Sequence, residues 1–290
     1  MIPGRSVSAA PGRTQVIEIP TRLEDLLGFA ADCPCGRRHE VDLQRVAIRD
    51  GALDDLPDVA RFAGTGPRTL VVCDRVTREI AGGRAADLLR KAGRKVATLV
   101  VPDGAGGRPH ATEEAVIDLE GALGAFDLAV AVGSGTINDI VKLSSFRRGI
   151  PYLAVGTAPS MNGYASAIAA ILRGGVKRTV DCHQPLAVVL DLSILARAPR
   201  ELIAAGLGDL ESKPTSTADF RLGGLVRGEY HCRVPERVVI DAERRAADAA
   251  PGLRHGDPEA VAVLTEALVL SGISMKLAGT SGPASGGEHL

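Results

Sequence analysis

Apolar and polar positions along the first half of the chain alternate between short unbroken apolar runs and stretches with helical spacing. "RTLVVCD" (Arg68 to Asp74) is apolar almost throughout and ends in an acid; a helical stretch from Thr77 to Lys91 follows, then "KVATLVVPD" (Lys95 to Asp103). Runs of four to eight apolar residues bounded by turn residues are the mark of strands buried on both faces. A second helical stretch, Thr112 to Leu123, leads into "FDLAVAVGSGTINDIVKLSSFRRG" (Phe126 to Gly149), which reads as a buried strand, a glycine turn and a helix closed by Arg147, Arg148 and Gly149. "IPYLAVGTAPS" (Ile150 to Ser160) supplies another strand. Repeated β-α-β units predict right-handed crossovers and a doubly wound sheet, with ligands at the carboxyl ends of its strands.

After about Leu195 the spacing becomes helical throughout. Helices are expected over Pro199 to Lys213, around Pro235 to Ala250, and over Asp257 to Gly279. The last has Asp257 at its N-cap, Pro258 in the first turn and Gly279 just past its end. It is apolar on nearly every side, so it is expected at the centre of a helical domain. Two domains are predicted: an α/β domain over 1–195 and an all-α domain over 196–290.

The 34 glycines and the lack of tryptophan suit such an α/β chain, and 34 basic against 35 acidic residues leave no global field for nucleic acid or an anionic membrane. Five cysteines, an odd number, and no leader-like N-terminal pattern predict a reducing, cytoplasmic setting. No apolar run is read as a membrane span.

The chemistry with most local content is "VGSGTIND", Val132 to Asp139. Gly133 and Gly135 let the backbone approach a phosphate, and Thr136 with the amides of the new helix donates to it. The stretch departs from the usual dinucleotide fingerprint, because Asn138 stands at the third glycine and no acid follows at the expected distance. Asp74, ending an earlier strand, is the acid on offer. A phosphate cradle and a tight turn without ligand both remain open from these residues alone.

"VGSGTINDIVK", "GIPYLAVGTAPSMNGYASAIAAI", "AGLGDLESKPTSTADFRL" and "SGPASGGEHL", in that order, resemble the glycerol-1-phosphate dehydrogenases, in the branch associated with bacterial arabinose operons. These belong to the superfamily of dehydroquinate synthase-like and iron-containing alcohol dehydrogenases. The resemblance implies metal-assisted hydride transfer between NAD or NADP and dihydroxyacetone phosphate, in a cleft between the two domains, in a pathway of phospholipid biosynthesis. It places Asp74 on the adenosine ribose, the segment Gly133, Ser134, Gly135, Thr136, Ile137, Asn138 and Asp139 on the pyrophosphate, and Thr157, Ala158, Pro159 and Ser160 with Ser166 near the nicotinamide. Asn162 and Asp209 would meet the substrate, and Asp209 and His289 would ligate one divalent ion, zinc or nickel. A carboxylate at Asp74 leans toward NAD over NADP. A small phosphorylated substrate and a homo-oligomer are the expected partners. By itself Asp209 also reads as a helix cap.

Two departures accompany the resemblance. The family's "SMDG" acid is Asn162 here, and an amide cannot accept a proton or offset a cation as a carboxylate does. The family also carries a further histidine ligand and a substrate-binding histidine beyond the position of His289, so the C-terminal domain is expected to be incomplete, with two of three metal ligands. From this follow the alternative functions, a catalytically impaired nucleotide-binding relative or a dehydrogenase for another small polyol or phosphorylated ketone. From it also follows an expected exposed apolar patch on the helix Pro258 to Ala278. "CPCGRRH" (Cys33 to His39) has metal-ligand residue types but no fourth ligand nearby in sequence, and reads as a turn before a strand near Val41 to Ile48. The adjacent pairs Cys182-His183 and His231-Cys232 read as structural.

Overall fold

The computed structural model describes residues 20–104 and 106–287. Its ten strands are β1 (Ala30–Asp32), β2 (Arg38–Glu40), β3 (Arg45–Arg49), β4 (Arg68–Cys73), β5 (Lys95–Val100), β6 (Leu128–Gly133), β7 (Tyr152–Gly156), β8 (Ile168–Arg173), β9 (Val176–Asp181) and β10 (Ala187–Asp191). Six of them form one parallel sheet in the order β3-β10-β7-β6-β4-β5. β4 to β5 runs toward one edge, and the next crossover returns to the far side of β4, where β6 begins the march toward the other edge. The order therefore reverses between β4 and β6, and a crevice opens at their carboxyl ends. Asp74 follows β4 and Gly133 closes β6, so these two residues flank that crevice.

In the first part of the chain the helices are α1 (Leu23–Leu26), α2 (Leu56–Phe62), α3 (Arg75–Thr77), α4 (Gly83–Lys91), α5 (Glu113–Leu123), α6 (Gly135–Arg148) and α7 (Leu192–Leu195). Successive strand residues point to opposite faces. Val71, Val130, Val132, Leu153 and Val189 pack with α2 and α4 on one face, and Leu70, Val72, Ala129, Ala131 and Val188 with α5 and α6 on the other. The apolar runs are unbroken because both faces are covered. Thr112 caps α5 by accepting from Ala115 N at 3.2 Å, and α6 ends at Gly149 with φ 63°, the left-handed closure the sequence predicts. Arg147 near that end is held by Glu113 and Glu120 at 2.8 and 2.9 Å.

Four further helices follow: α8 (Arg200–Glu211), α9 (Lys213–Arg227), α10 (Arg233–Leu253) and α11 (Pro258–Ala278). α9 is absent from the sequence reading, because its Gly223 and Gly224 and scattered polar residues dilute the helical spacing. The antiparallel hairpin β8–β9 was also not anticipated. The hairpin β1–β2 precedes the sheet and reaches the end of α11.

α11 corrects the expectation of an exposed face. At 21 residues and mean hydropathy 1.6 it is long and apolar enough to cross a membrane, yet 78% of that stretch is buried within the protein. It lies against α10, α8, the short turn Asn162–Tyr164 and the strands β2 and β3. The exposed apolar strip among the described residues is on α9 instead, where Leu222, Leu225 and Val226 are 56%, 85% and 72% exposed.

His183, beside β10, stacks on Tyr152 and meets Ser145 Oγ through Nε2 at 2.9 Å. Burial, with the nearby Lys142 ammonium, pushes its imidazole down to about 4. The unfolded chain binds this proton below about pH 6.5 while the folded chain refuses it. Stability therefore falls as pH drops through about 6.5 toward 4. Thermal melts across that window are expected to fall more steeply for the parent than for His183→Gln; parallel slopes would refute the assignment.

Candidate active site

A cleft of about 560 Å³ runs between the amino end of α6 and the helical part of the chain, lined among others by Gly135, Ser160, Asn162, Ser166, Lys177, Asp209, Ser212 and Met275. Its geometry is set by close backbone approaches. A Cβ on Gly206 of α8 would sit 1.9 Å from the carbonyl oxygen of Pro159, and a Cβ on Gly272 of α11 would sit 2.4 Å from that of Asn162. Only glycine at these two helix positions lets α8 and α11 close on the loop 159–165.

That loop is also held from below. Lys142 on α6 is fully buried and donates from Nζ to the carbonyls of Gly163 and Ile168 at 2.6 and 2.8 Å and to Ser166 Oγ at 3.0 Å. Asp139, one turn earlier, lies 3.7 Å from the same ammonium and accepts from Ala170 N at 3.1 Å. Burial raises the Asp139 carboxyl and lowers the Lys142 ammonium, each opposed by the other's charge. Tyr164 Oη donates to Ala158 O at 2.9 Å and reaches Gly133 O at 3.2 Å, and Thr157 N donates to Gly133 O, tying the loop to the end of β6.

Beside that loop Asp209 lies near the carboxyl end of α8, inside the helix, so it is no N-cap. Its Oδ2 accepts from Asn162 N at 2.9 Å and its Oδ1 from Lys213 Nζ at 2.8 Å. Lys213 is fully buried and also donates to Ala284 O at 2.6 Å. Asn162 donates from Nδ2 to Ser271 Oγ of α11 at 3.2 Å, whereas a carboxylate there could only accept from that hydroxyl. The amide thus ties the loop to α11 without placing a second negative charge beside Asp209.

The structure therefore brings Gly135, Ser160, Asn162, Ser166, Asp139 and Asp209 to one cleft. Ser134, Gly135 and Thr136 are half-buried at the mouth of the turn, whereas Ile137 and Asn138 are buried. The Gly133 position has a packing reason: a Cβ there would strike Ile137 at 2.7 Å. Asn138 donates to Gly163 O at 3.2 Å, and Ala158 and Pro159 are buried in the loop. Asp74 caps α3, its Oδ1 accepting from Thr77 N at 2.7 Å while its own N–H donates to Thr77 Oγ1 at 3.0 Å. His289 lies outside the described residues. Lys142 and Lys213 were missed in the sequence, although each stands three or four residues after its acid on a helix, a spacing that brings side chains together.

As a holder of a divalent ion the described lining is partial. Asp209 supplies a carboxylate of the hard oxygen type, whereas a catalytic centre uses three protein ligands and an open position.

The chain belongs to the iron-containing alcohol dehydrogenase family: the family model "Iron-containing alcohol dehydrogenase" matches residues 47–199. Similar curated proteins include glycerol-1-phosphate dehydrogenases [NAD(P)+]. The one from Bacillus licheniformis is 36% identical over 273 residues, covering 92% of this chain and 68% of the relative. The one from Pyrococcus furiosus is 34% identical over 249 residues, covering 85% and 70%. Among solved structures, a probable glycerol dehydrogenase from Sinorhizobium meliloti 1021 superposes with a TM-score of 0.66 at 23% identity, covering 82% of this chain and 67% of that one. Glycerol dehydrogenase from Schizosaccharomyces pombe gives 0.67 at 18% identity, over 82% and 62%. The chain spans between 56% and 70% of these relatives' lengths, the lowest share being that of the glycerol-1-phosphate dehydrogenase of Bacillus velezensis.

Proposed function

We propose that this chain catalyses NAD(P)-dependent reduction of dihydroxyacetone phosphate to sn-glycerol 1-phosphate, within residues 1–195 as the nucleotide-binding domain and the helices from 196 as the substrate domain. The observation that carries the reading is the placement of Asp209 and Asn162 on one wall of the cleft whose other wall is the glycine turn of α6. The pyrophosphate would lie on the amides of Ser134, Gly135 and Thr136 at the positive end of α6. Asp74 at the far side of the crevice would meet the ribose, and the loop 157–160 with Ser166 would border the nicotinamide.

At the substrate end, Asp209 would hold the divalent ion, zinc or nickel, with His289 as second ligand; bound there, the ion supplies Lewis-acid polarisation of the substrate oxygen. The N–H of Asn162 fixes the rotamer of Asp209, and Lys213 compensates its charge. Lys177 on β9 is the basic side chain among the described lining residues and gives the substrate phosphate its counter-charge. Five unpaired cysteines support a reducing cytoplasm as the setting, and the exposed strip on α9 supports a homo-oligomer, which sedimentation velocity reads.

The test is an assay of the full-length gene product, loaded with zinc or nickel, with dihydroxyacetone phosphate and reduced nicotinamide. Oxidation of the nicotinamide with release of the 1-phosphate enantiomer is expected. Silence with this ketone and turnover of an unphosphorylated polyol would overturn the substrate assignment.

A further inference from the structure

Far from the cleft, the hairpin β1–β2 brings Cys33, Cys35 and His39 against Cys232, the N-cap of α10, so that one ligand atom of each lies within 4.8 Å of all the others. The fourth ligand that "CPCGRRH" lacks in sequence is thus supplied 199 residues away from Cys33. Cys33 Sγ lies 3.8 Å from Cys232 Sγ, and His39 Nε2 lies 3.5 Å from Cys35 Sγ and 3.4 Å from Cys232 Sγ. Zinc–sulfur and zinc–nitrogen bonds of the usual lengths set tetrahedral edges of about 3.8 Å between sulfurs and about 3.5 Å between sulfur and nitrogen. The sulfurs are far beyond the roughly 2.05 Å of a disulfide.

The surroundings are those of a ligand set. His39 Nδ1 lies 2.6 Å from the carbonyl of Leu277. A carbonyl only accepts, so the proton is on Nδ1 and the Nε2 lone pair faces the sulfurs, as metal-bound imidazoles are oriented. His39 and Cys232 are 2% and 6% exposed. Tyr230 Oη stands 3.7 Å from Cys35 Sγ, and the Arg37 guanidinium lies 3.5 Å over the Tyr230 ring while donating to Ala278 O. His231, adjacent in sequence, turns away to Glu236 at 2.7 Å.

We propose that Cys33, Cys35, His39 and Cys232 bind a structural zinc ion, distinct from any ion at Asp209. The four donors close the tetrahedron and leave no open position, so the ion does no chemistry on substrate. It pins the hairpin before the sheet to the first turn of α10 and the end of α11, closing a loop that spans most of the chain.

The test is metal analysis of anaerobically purified full chain, with cobalt(II) in place of zinc as the spectroscopic probe. One tightly held equivalent per chain is expected, present equally in Asp209→Asn. The cobalt form is expected to show thiolate-to-cobalt charge transfer and the intense visible bands of a tetrahedral site. Cys33→Ser with Cys232→Ser is expected to lose that equivalent and those bands. If this variant does not fold, His39→Cys decides, since it keeps four donors and is expected to keep the metal with a shifted cobalt spectrum. A folded parent without thiolate–cobalt bands, a serine variant with unchanged metal content, or a Cys33–Cys232 disulfide in the reduced-handled protein would each overturn the proposal.

Discussion

Asp209→Ala is expected to lower kcat/KM for dihydroxyacetone phosphate by about two to three orders of magnitude, the equivalent of roughly 3–4 kcal/mol of transition-state stabilisation. The same change removes the carboxylate that compensates Lys213, whose ammonium is fully buried and 2.8 Å away. Stripping one partner from a buried pair costs about 3–5 kcal/mol, because the remaining charge has no solvent to turn to. The two effects separate in a double variant. Asp209→Ala with Lys213→Met is expected to regain part of the lost stability while remaining inactive, since an apolar stem relieves the orphaned charge but restores neither the ligand nor the bond to Ala284 O. Recovery of activity together with stability would show that Asp209 acts only by holding the fold.

Much of this site was legible before any coordinates, and the reason is geometric. A glycine turn after a buried strand is local: β6, Ser134 and the first turn of α6 are contiguous, so "VGSGTIND" carries its own architecture. Strand order is not local: the family resemblance gave Asp74 its role at the ribose, and it is the reversal of strand order between β4 and β6 that sets it across the crevice from Gly133. What escaped notice depends on contacts between distant segments. Gly206 and Gly272 look like ordinary helix interruptions until α8 and α11 are seen pressed onto Pro159 and Asn162. Cys232 looks like half of an uninformative pair until α10 sets it beside the first hairpin. The same blindness produced the expectation of an exposed α11: apolarity says that a helix needs neighbours, but not that α10, α8 and two strands supply them. Asn162 is the intermediate case. Its departure from the family's acid was plain in sequence, whereas its bond to Ser271, which makes the amide a lock between loop and helix, required the fold.

Lys142→Met is expected to destabilise the protein by about 3–5 kcal/mol and to lower kcat/KM by about ten- to a hundredfold, although Lys142 touches neither substrate nor cofactor in the proposed reaction. Its ammonium is the common donor for Gly163 O, Ile168 O and Ser166 Oγ, three acceptors that converge from the loop and from β8. Methionine fills the volume and leaves all three without that donor, along with an Asp139 carboxylate whose charge burial already disfavours. The loop then loses the support that presents Asn162 N to Asp209, and the rotamer of the proposed ligand loosens. Lys142→Arg is not expected to rescue it, because a planar fork cannot point three donors at a tripod of oxygens. Adding Asp139→Asn to Lys142→Met removes the stranded charge, so part of the stability should return. The activity should not, because the loop still lacks its donor. Urea titrations paired with steady-state kinetics separate these outcomes. A Lys142→Met protein with parental midpoint and parental kcat/KM would mean that α8 and α11 alone, through Gly206 and Gly272, hold the loop in place.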